Sequence, residues 1–339
     1  MDSMLFSANR ARSSATPIHV RSSSRKTLLD ALEYAPILSR IHLGELTELG
    51  ETTLRHAVRQ LSREGILTPQ SGRNAGTISI ARYSALPILE ISPHRLTWRL
   101  CDTLGSSVVA TVRDRGKFRS LEDDLVALRG QVETILRGGA CDLPREIPLQ
   151  PPVLLCPDYL IPTSLPLWTP PSAVLTPEEA VAGELRFLPV AQAAEAALLL
   201  HVGEDAAVPT VTLFTRRNRE PFPTPFTPSS DTADLGQTLL RDVGESPAYT
   251  EVWWRRIAAF LEDLLRFIRL DCVIVEIDRP QEHAHLLRAS LPSTVKLLRV
   301  RYALNTPSLS HRGALRVARR ALWESMEETS PAKATARSQ

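Results

Sequence analysis

With 339 residues, 43% of them hydrophobic and 23% charged, the chain has the composition of a globular protein with two or three cores. No apolar run approaches the ~20 residues needed to cross a bilayer. The first 26 residues also lack the apolar stretch and cleavage site of a secretory signal, so a cytoplasmic protein with no membrane partner is expected.

Residues 1–24 are rich in Ser, Arg and Ala and read as a flexible basic tail, either touching nucleic acid or simply solvated. Three short helical patterns follow: Leu28, Leu29 and Leu32, then Leu43, Leu46 and Leu49, then Leu54, Val58 and Leu61. Gly65 ends the third, and ILT at 66–68 and TISIARY at 77–83 read as strands around the loop PQSGRNAG. Helix, helix, helix and hairpin make residues 25–83 a winged helix-turn-helix. The net charge of +2 names no partner, but residues 1–83 carry 11 Lys and Arg against 7 Asp and Glu, which makes this end the place to seek DNA contact.

From Pro87 the stretches ILEIS, RLTWRLCD and SSVVATV read as a β-meander. A helix through Leu121, Leu125, Leu128, Val132 and Leu136 follows, then a buried strand PVLLC at 152–156 and an irregular proline-rich stretch at 157–177. A helix at 193–201 (AAEAALLLH), a strand VTLFT, a second proline-rich loop at 219–230, a helix from Glu251 to Leu270 and a strand CVIVEI continue an α/β alternation. A closing helix spans Arg312 to Met326, and residues 327–339 read as a disordered tail. No repeat of fixed period is visible.

If Leu54, Val58 and Leu61 face inward, the third helix turns Thr52, Thr53, Arg55, His56 and Arg59 outward. Forked guanidinium donors suit guanine edges and phosphates, and hydroxyls suit backbone oxygens, so these are the predicted DNA-binding residues. A solvated polar face is the plain alternative, and it is the order of elements that favours the recognition helix. Arg73 and Asn74 lie at the hairpin tip, where a wing reaches a minor groove or a phosphate; Asn74 and Gly76 also suit a bare turn. Cys101, Cys141, Cys156 and Cys272 have no metal-site spacing, and His283 and His285 lack a third ligand, so no metal is expected. His94 and His201 have no assigned role.

Four stretches resemble the ROK family of sugar-responsive repressors and sugar kinases: ILEISPHRLTWRLCDTLGSSVV, LPVAQAAEAALLLH, WWRRIAAFLEDLLRFIRLDCVIVEID and SLSHRGALRVARRALWE. The resemblance implies a winged helix at 25–83 and, at 87–325, a two-lobed domain of the actin-like ATPase (ribonuclease H-like) sugar-kinase type, within an α/β fold class. It also sets out departures. Ser92-Pro93-His94 replaces the family's glycine-rich phosphate turn, and Gln192-Ala193 stands at its catalytic Asn-Asp pair, where alanine cannot act as a base. VTLFTRRNRE and Glu276-Ile277-Asp278 replace further glycine-rich phosphate elements, and the cysteines of the family's zinc site are missing.

The expected function is therefore a sequence-specific DNA-binding regulator, in the sense of a repressor, with an inactive kinase-like domain for dimerisation and effector sensing. Double-stranded DNA and a second copy are the expected partners, with a sugar or sugar derivative as a possible effector and no cofactor. A divergent sugar kinase, which would need a carboxylate base although Glu195 and Asp205 are not at the matching position, and a winged-helix scaffold for protein are the alternatives. The apolar helix at 251–270 points to a dimer surface or, equally, to a helix buried in the α/β core.

Overall fold

The computed structural model describes residues 17–34, 37–69, 76–81, 84–115, 119–138, 149–157, 160–161, 170–185, 187–188, 191, 194–202, 210–215, 224–225, 250–277, 285–301 and 308–328. The chain divides into two compact units, Met1–Arg82 and Tyr83–Gln339.

The first unit consists of α1 (Pro17–Tyr34), β1 (Ile37–Ser39), α2 (Arg40–Thr47), α3 (Glu51–Arg63), β2 (Leu67–Pro69) and β3 (Thr77–Ile80). The strands form one antiparallel sheet in the order β1-β3-β2. The Ser39 hydroxyl caps α2 by accepting from the His42 N–H (3.1 Å), and a left-handed Glu48 (φ 52°) ends it. Helix α1 packs on α2 and α3, and Leu28, Leu32, Leu43, Leu54, Val58, Leu61, Ile66 and Ile78 are buried.

Three expectations change in this unit. Residues 17–24, read as tail, begin α1 with Pro17 at the first helical position, where its missing N–H costs nothing. The segment is tied down by pairing: Ser24 and Arg25 are buried, and the Arg25 guanidinium pairs with Glu64. Leu46 is 41% exposed and Leu49 lies beyond the end of α2, whose buried stripe is Leu43 and Thr47. Strand β1 went unforeseen because its three residues carry no periodic signal.

The second unit builds two five-stranded mixed sheets. The first lobe has β4 (Ala85–Ile91), β5 (Arg95–Asp102), β6 (Ser107–Asp114), α4 (Leu121–Arg137), β7 (Val153–Leu155), β8 (Ala173–Leu175) and α5 (Pro177–Leu185). The second has β9 (Ala196–Val202), β10 (Thr210–Thr215), β11 (Thr224–Pro225), α6 (Glu251–Phe267), β12 (Cys272–Ile277), α7 (His285–Ser290), β13 (Lys296–Arg301) and α8 (Leu309–Glu328). Strand orders are β6-β5-β4-β7-β8 and β11-β10-β9-β12-β13. In each lobe a three-stranded antiparallel meander is extended by two parallel strands, and a helix follows the last strand. The topology repeats although no residue pattern does.

Helix α4 covers one face of the first sheet through Leu125, Leu128 and Val132 against Leu89, Trp98 and Leu154. Helices α6 and α7 cover one face of the second, where Trp253 and Trp254 meet edge to face with ring centroids 4.8 Å apart. Helices α5 and α8 lie against the other faces of both sheets. They approach so closely that a Cβ on Gly313 would stand 1.8 Å from the Ala180 carbonyl oxygen. Nearby, buried Glu184 of α5 accepts from Arg316 Nε of α8 at 2.6 Å.

Several segments of this unit differ from expectation. The run at 193–201, read as a helix from its Ala and Leu content, contributes β9, which pairs on both sides and buries Ala197 to Leu200. Burial on both faces overrides helix propensity there. Strand β8 and helix α5 begin inside or just after the stretch read as irregular, and α7 and β13 were not anticipated. The apolar side chains of α6 that pointed to a partner surface are absorbed within the chain: Trp253, Trp254, Ile257, Phe260 and Leu261 are buried, and Leu264, Leu265 and Ile268 pack against the same core. Among the described residues no helix is long and apolar enough to cross a membrane.

Candidate nucleic-acid interface

Helix α3 starts after Gly50 and carries Glu51 in its first turn and Arg63 in its last, each matched to the helix dipole. Leu54, Val58 and Leu61 face the core. At 100° per residue the side opposite that stripe carries Thr52, His56, Arg59 and Arg63, with Gln60 and Thr53 on one flank and Arg55 on the other. All seven are exposed.

The two flanks differ chemically. Between α1 and α3 runs a groove whose described lining includes Ser24, Thr53, His56, Arg59, Gln60 and Arg63, cationic or neutral residues. Between α2 and α3 the lining includes Ile41, 74% exposed, together with Leu49, Arg40 and the Arg55–Glu51 pair, joined at 2.6 Å. Arg55 thus already has a carboxylate partner. Among the described residues no ion pair is found for His56, Arg59 or Arg63. Arg63 and Gln60 were missed in the sequence, although the spacing 52, 56, 59, 63 continues the face by one more turn. Arg73 and Asn74 lie outside the described residues. The strands flanking them pair antiparallel, Pro69 with Ile78, and Gly76 has φ +93°.

In the second unit the turn between β4 and β5 is closed on itself. The Ser92 N–H donates to the Arg95 carbonyl (2.9 Å), the Arg95 N–H donates to the Ser92 hydroxyl (3.0 Å), and Pro93 has no N–H. Arg115 Nη1 donates to the carbonyls of Ser92 (3.2 Å) and Pro93 (3.1 Å). Such a turn presents no run of bare N–H groups to a phosphate. Gln192, Ala193, Asp205, Asp278, His283 and Cys141 lie outside the described residues. Glu276, one residue before the end of β12, is buried. Glu195 is exposed, and its N–H donates to Asp271 Oδ2 (2.8 Å). His94 and His285 are exposed. Cys101, Cys156 and Cys272 are buried free thiols, and burial pushes Cys101 and Cys272 up to about 12.

The crystal structure of a ROK family transcriptional regulator, a homologue of the E. coli MLC protein, matches 91% of this chain and 99% of its own with a TM-score of 0.53 and 13% identity. The fold is the ROK fold. A ROK family protein from Streptococcus pneumoniae in complex with sucrose matches 72% of this chain and 99% of its own at 11% identity, with a TM-score of 0.42. A ROK family glucokinase from Streptomyces griseus in complex with glucose and AMPPNP matches 69% of this chain and 98% of its own at 11% identity, also with a TM-score of 0.42. No family model and no curated protein matches the chain. At 13% identity the likeness is one of architecture.

Proposed function

We propose that the protein is a sequence-specific DNA-binding transcriptional regulator, a repressor, in which residues 25–83 form a winged helix-turn-helix and residues 87–325 a catalytically inactive kinase-like domain that pairs with a second copy and senses a small effector. The observation that carries this reading is the outer face of α3. Thr52, His56, Arg59 and Arg63 line one exposed helical face without a carboxylate, on the second helix of an α2–α3 pair flanked by a three-stranded sheet. A helix of that kind fits the major groove, with its guanidinium groups reaching guanine edges and its flanks reaching phosphates. The match to the ROK regulator covers more of the chain than the second unit alone supplies, so it extends into this region.

The groove between α1 and α3 is the flank assigned to phosphates, because its described lining carries Arg59, Arg63 and His56 and no acidic side chain. One winged helix reads a half-site, so a two-fold pair of chains is part of the reading. Sequencing the DNA fragments that co-purify with the protein tests it. A recurring palindrome with half-site centres about 10 base pairs apart, or a multiple of that, is expected. Fragments without a shared sequence would leave only non-specific binding.

Inactivity of the second unit rests on the closed β4–β5 turn. Titration with ATP and magnesium in a calorimeter is expected to give no binding heat, since the Ser92 and Arg95 N–H groups are spent within the turn and Pro93 has none, which leaves no run of N–H groups for a phosphate. Micromolar affinity for the nucleotide would favour the kinase reading instead.

A further inference from the structure

The two flanks of α3 differ by a carboxylate. The α1 side offers His56, Arg59 and Arg63. The α2 side carries Glu51, which is the first residue of α3 and its only acidic one. Its side chain is 84% exposed. A carboxylate accepts hydrogen bonds and donates none, and it is repelled by phosphate oxygens. On a helix that enters a duplex, such a group weakens binding unless it meets a hydrogen-bond donor, and that condition is what makes a repulsive element selective.

The geometry of Glu51 suits it to such a donor. Its Oε1 accepts from Arg55 Nη2 at 2.6 Å, one helical turn along. The pair carries no net charge, so the carboxylate can approach a polyanion at less cost than a lone one. Its Oε2 has no hydrogen-bond partner among the described residues. Glu51 also stands at the N-terminal end of α3, the end that contacts base edges in a helix-turn-helix.

The donors of the major groove are the exocyclic amines of cytosine, N4, and of adenine, N6. Adenine presents the acceptor N7 beside its amine, where a carboxylate is repelled. Cytosine presents the amine alone. We propose that Glu51 is a specificity-determining residue that accepts from the N4 amine of a cytosine in each half-site, with Arg55 holding the carboxylate and cancelling its charge. This rests on the reading of α3 as a recognition helix. Any other base at that position leaves the carboxylate desolvated without a donor, so Glu51 rejects wrong sequences as well as selecting the right one. Arg55 touches no base in this arrangement and is a positioning residue.

Selection of bound duplexes from a random-sequence pool, with the full chain as wild type, Glu51→Gln, Glu51→Ala and Arg55→Ala, tests this. Wild type is expected to prefer cytosine at one position of the half-site by roughly tenfold. An amide both donates and accepts, so Glu51→Gln moves that preference to adenine. Glu51→Ala abolishes the preference there, leaves the other positions as in wild type, and binds scrambled duplexes as well as wild type or better, because a negative charge has left the helix. Arg55→Ala keeps the cytosine and weakens binding to all duplexes alike. A wild-type motif unchanged in both Glu51 variants, or a change at a base other than cytosine, overturns the proposal and leaves α3 as the recognition helix. So does a loss of affinity for every duplex alike in Glu51→Ala, the result expected if Glu51 serves only the helix dipole. A wild type that recovers no shared sequence overturns the recognition-helix reading itself, and this proposal with it.

Discussion

Replacing Gly313 with alanine is expected to lower the denaturation midpoint of the second unit by more than any exposed substitution in the chain. The new Cβ would lie 1.8 Å from the Ala180 oxygen and 2.6 Å from its carbonyl carbon. Both are backbone atoms, so no rotamer relieves the clash, and α5 and α8 must separate. Separation loosens the apolar contacts of α8 with both sheets and stretches the 2.6 Å Arg316–Glu184 contact. Alanine gains ~1 kcal/mol of helix propensity over glycine, whereas overpacking costs ~1–3 kcal/mol and more against rigid backbone. The clash wins. A net loss of about 2 kcal/mol or more is a large share of the ~5–15 kcal/mol that holds a domain folded. Gly130 in α4 has nothing within 4 Å of its would-be Cβ, so Gly130→Ala is the matched control and is expected to raise the urea midpoint slightly. Equal midpoints for Gly313→Ala and wild type would contradict the close helix crossing.

Truncating Arg59 and Arg63 to alanine is expected to cost ~1–3 kcal/mol of operator affinity each, hence roughly a hundredfold or more for the double variant. Both side chains are exposed, so folding stability should change by less than ~0.5 kcal/mol. Arg55→Ala is expected to cost less than either. Its guanidinium is turned toward Glu51, and an exposed i,i+4 pair of this kind contributes only ~0.3–0.5 kcal/mol to the helix. Salt dependence separates the roles: loss of a phosphate contact weakens binding to all duplexes alike and lowers the slope by about 1, while loss of a base contact relaxes sequence preference. Wild-type affinity in the double variant would remove α3 as the recognition helix.

Most of the first unit was legible because its helices bury narrow stripes, and Leu54, Val58 and Leu61 fix the orientation of α3 from spacing alone. Arg63 was within reach of the same argument and was missed by stopping one turn early. Strand β9 was not legible. Its run of Ala and Leu has no period, and only its neighbours β10 and β12 make it a strand. The α5–α8 crossing depends on Gly313 meeting Ala180, a pair 133 positions apart that no local pattern links. Glu276 could be seen in the sequence only as an unexpected acid after an apolar strand. Its position at the start of α8 depends on how the second lobe closes. Trp253 and Trp254 advertised an apolar helix, but whether that surface met a partner or a core was fixed by α7 and by β9, β12 and β13.

The central claim is sequence-specific DNA binding, and its most direct measurement is the affinity of the full chain, at physiological salt, for a duplex carrying the recovered palindrome against the same duplex with that sequence scrambled. A preference of at least ~10³-fold, the lower range for specific over non-specific binding, is the result expected. Equal affinity for the two duplexes would contradict it.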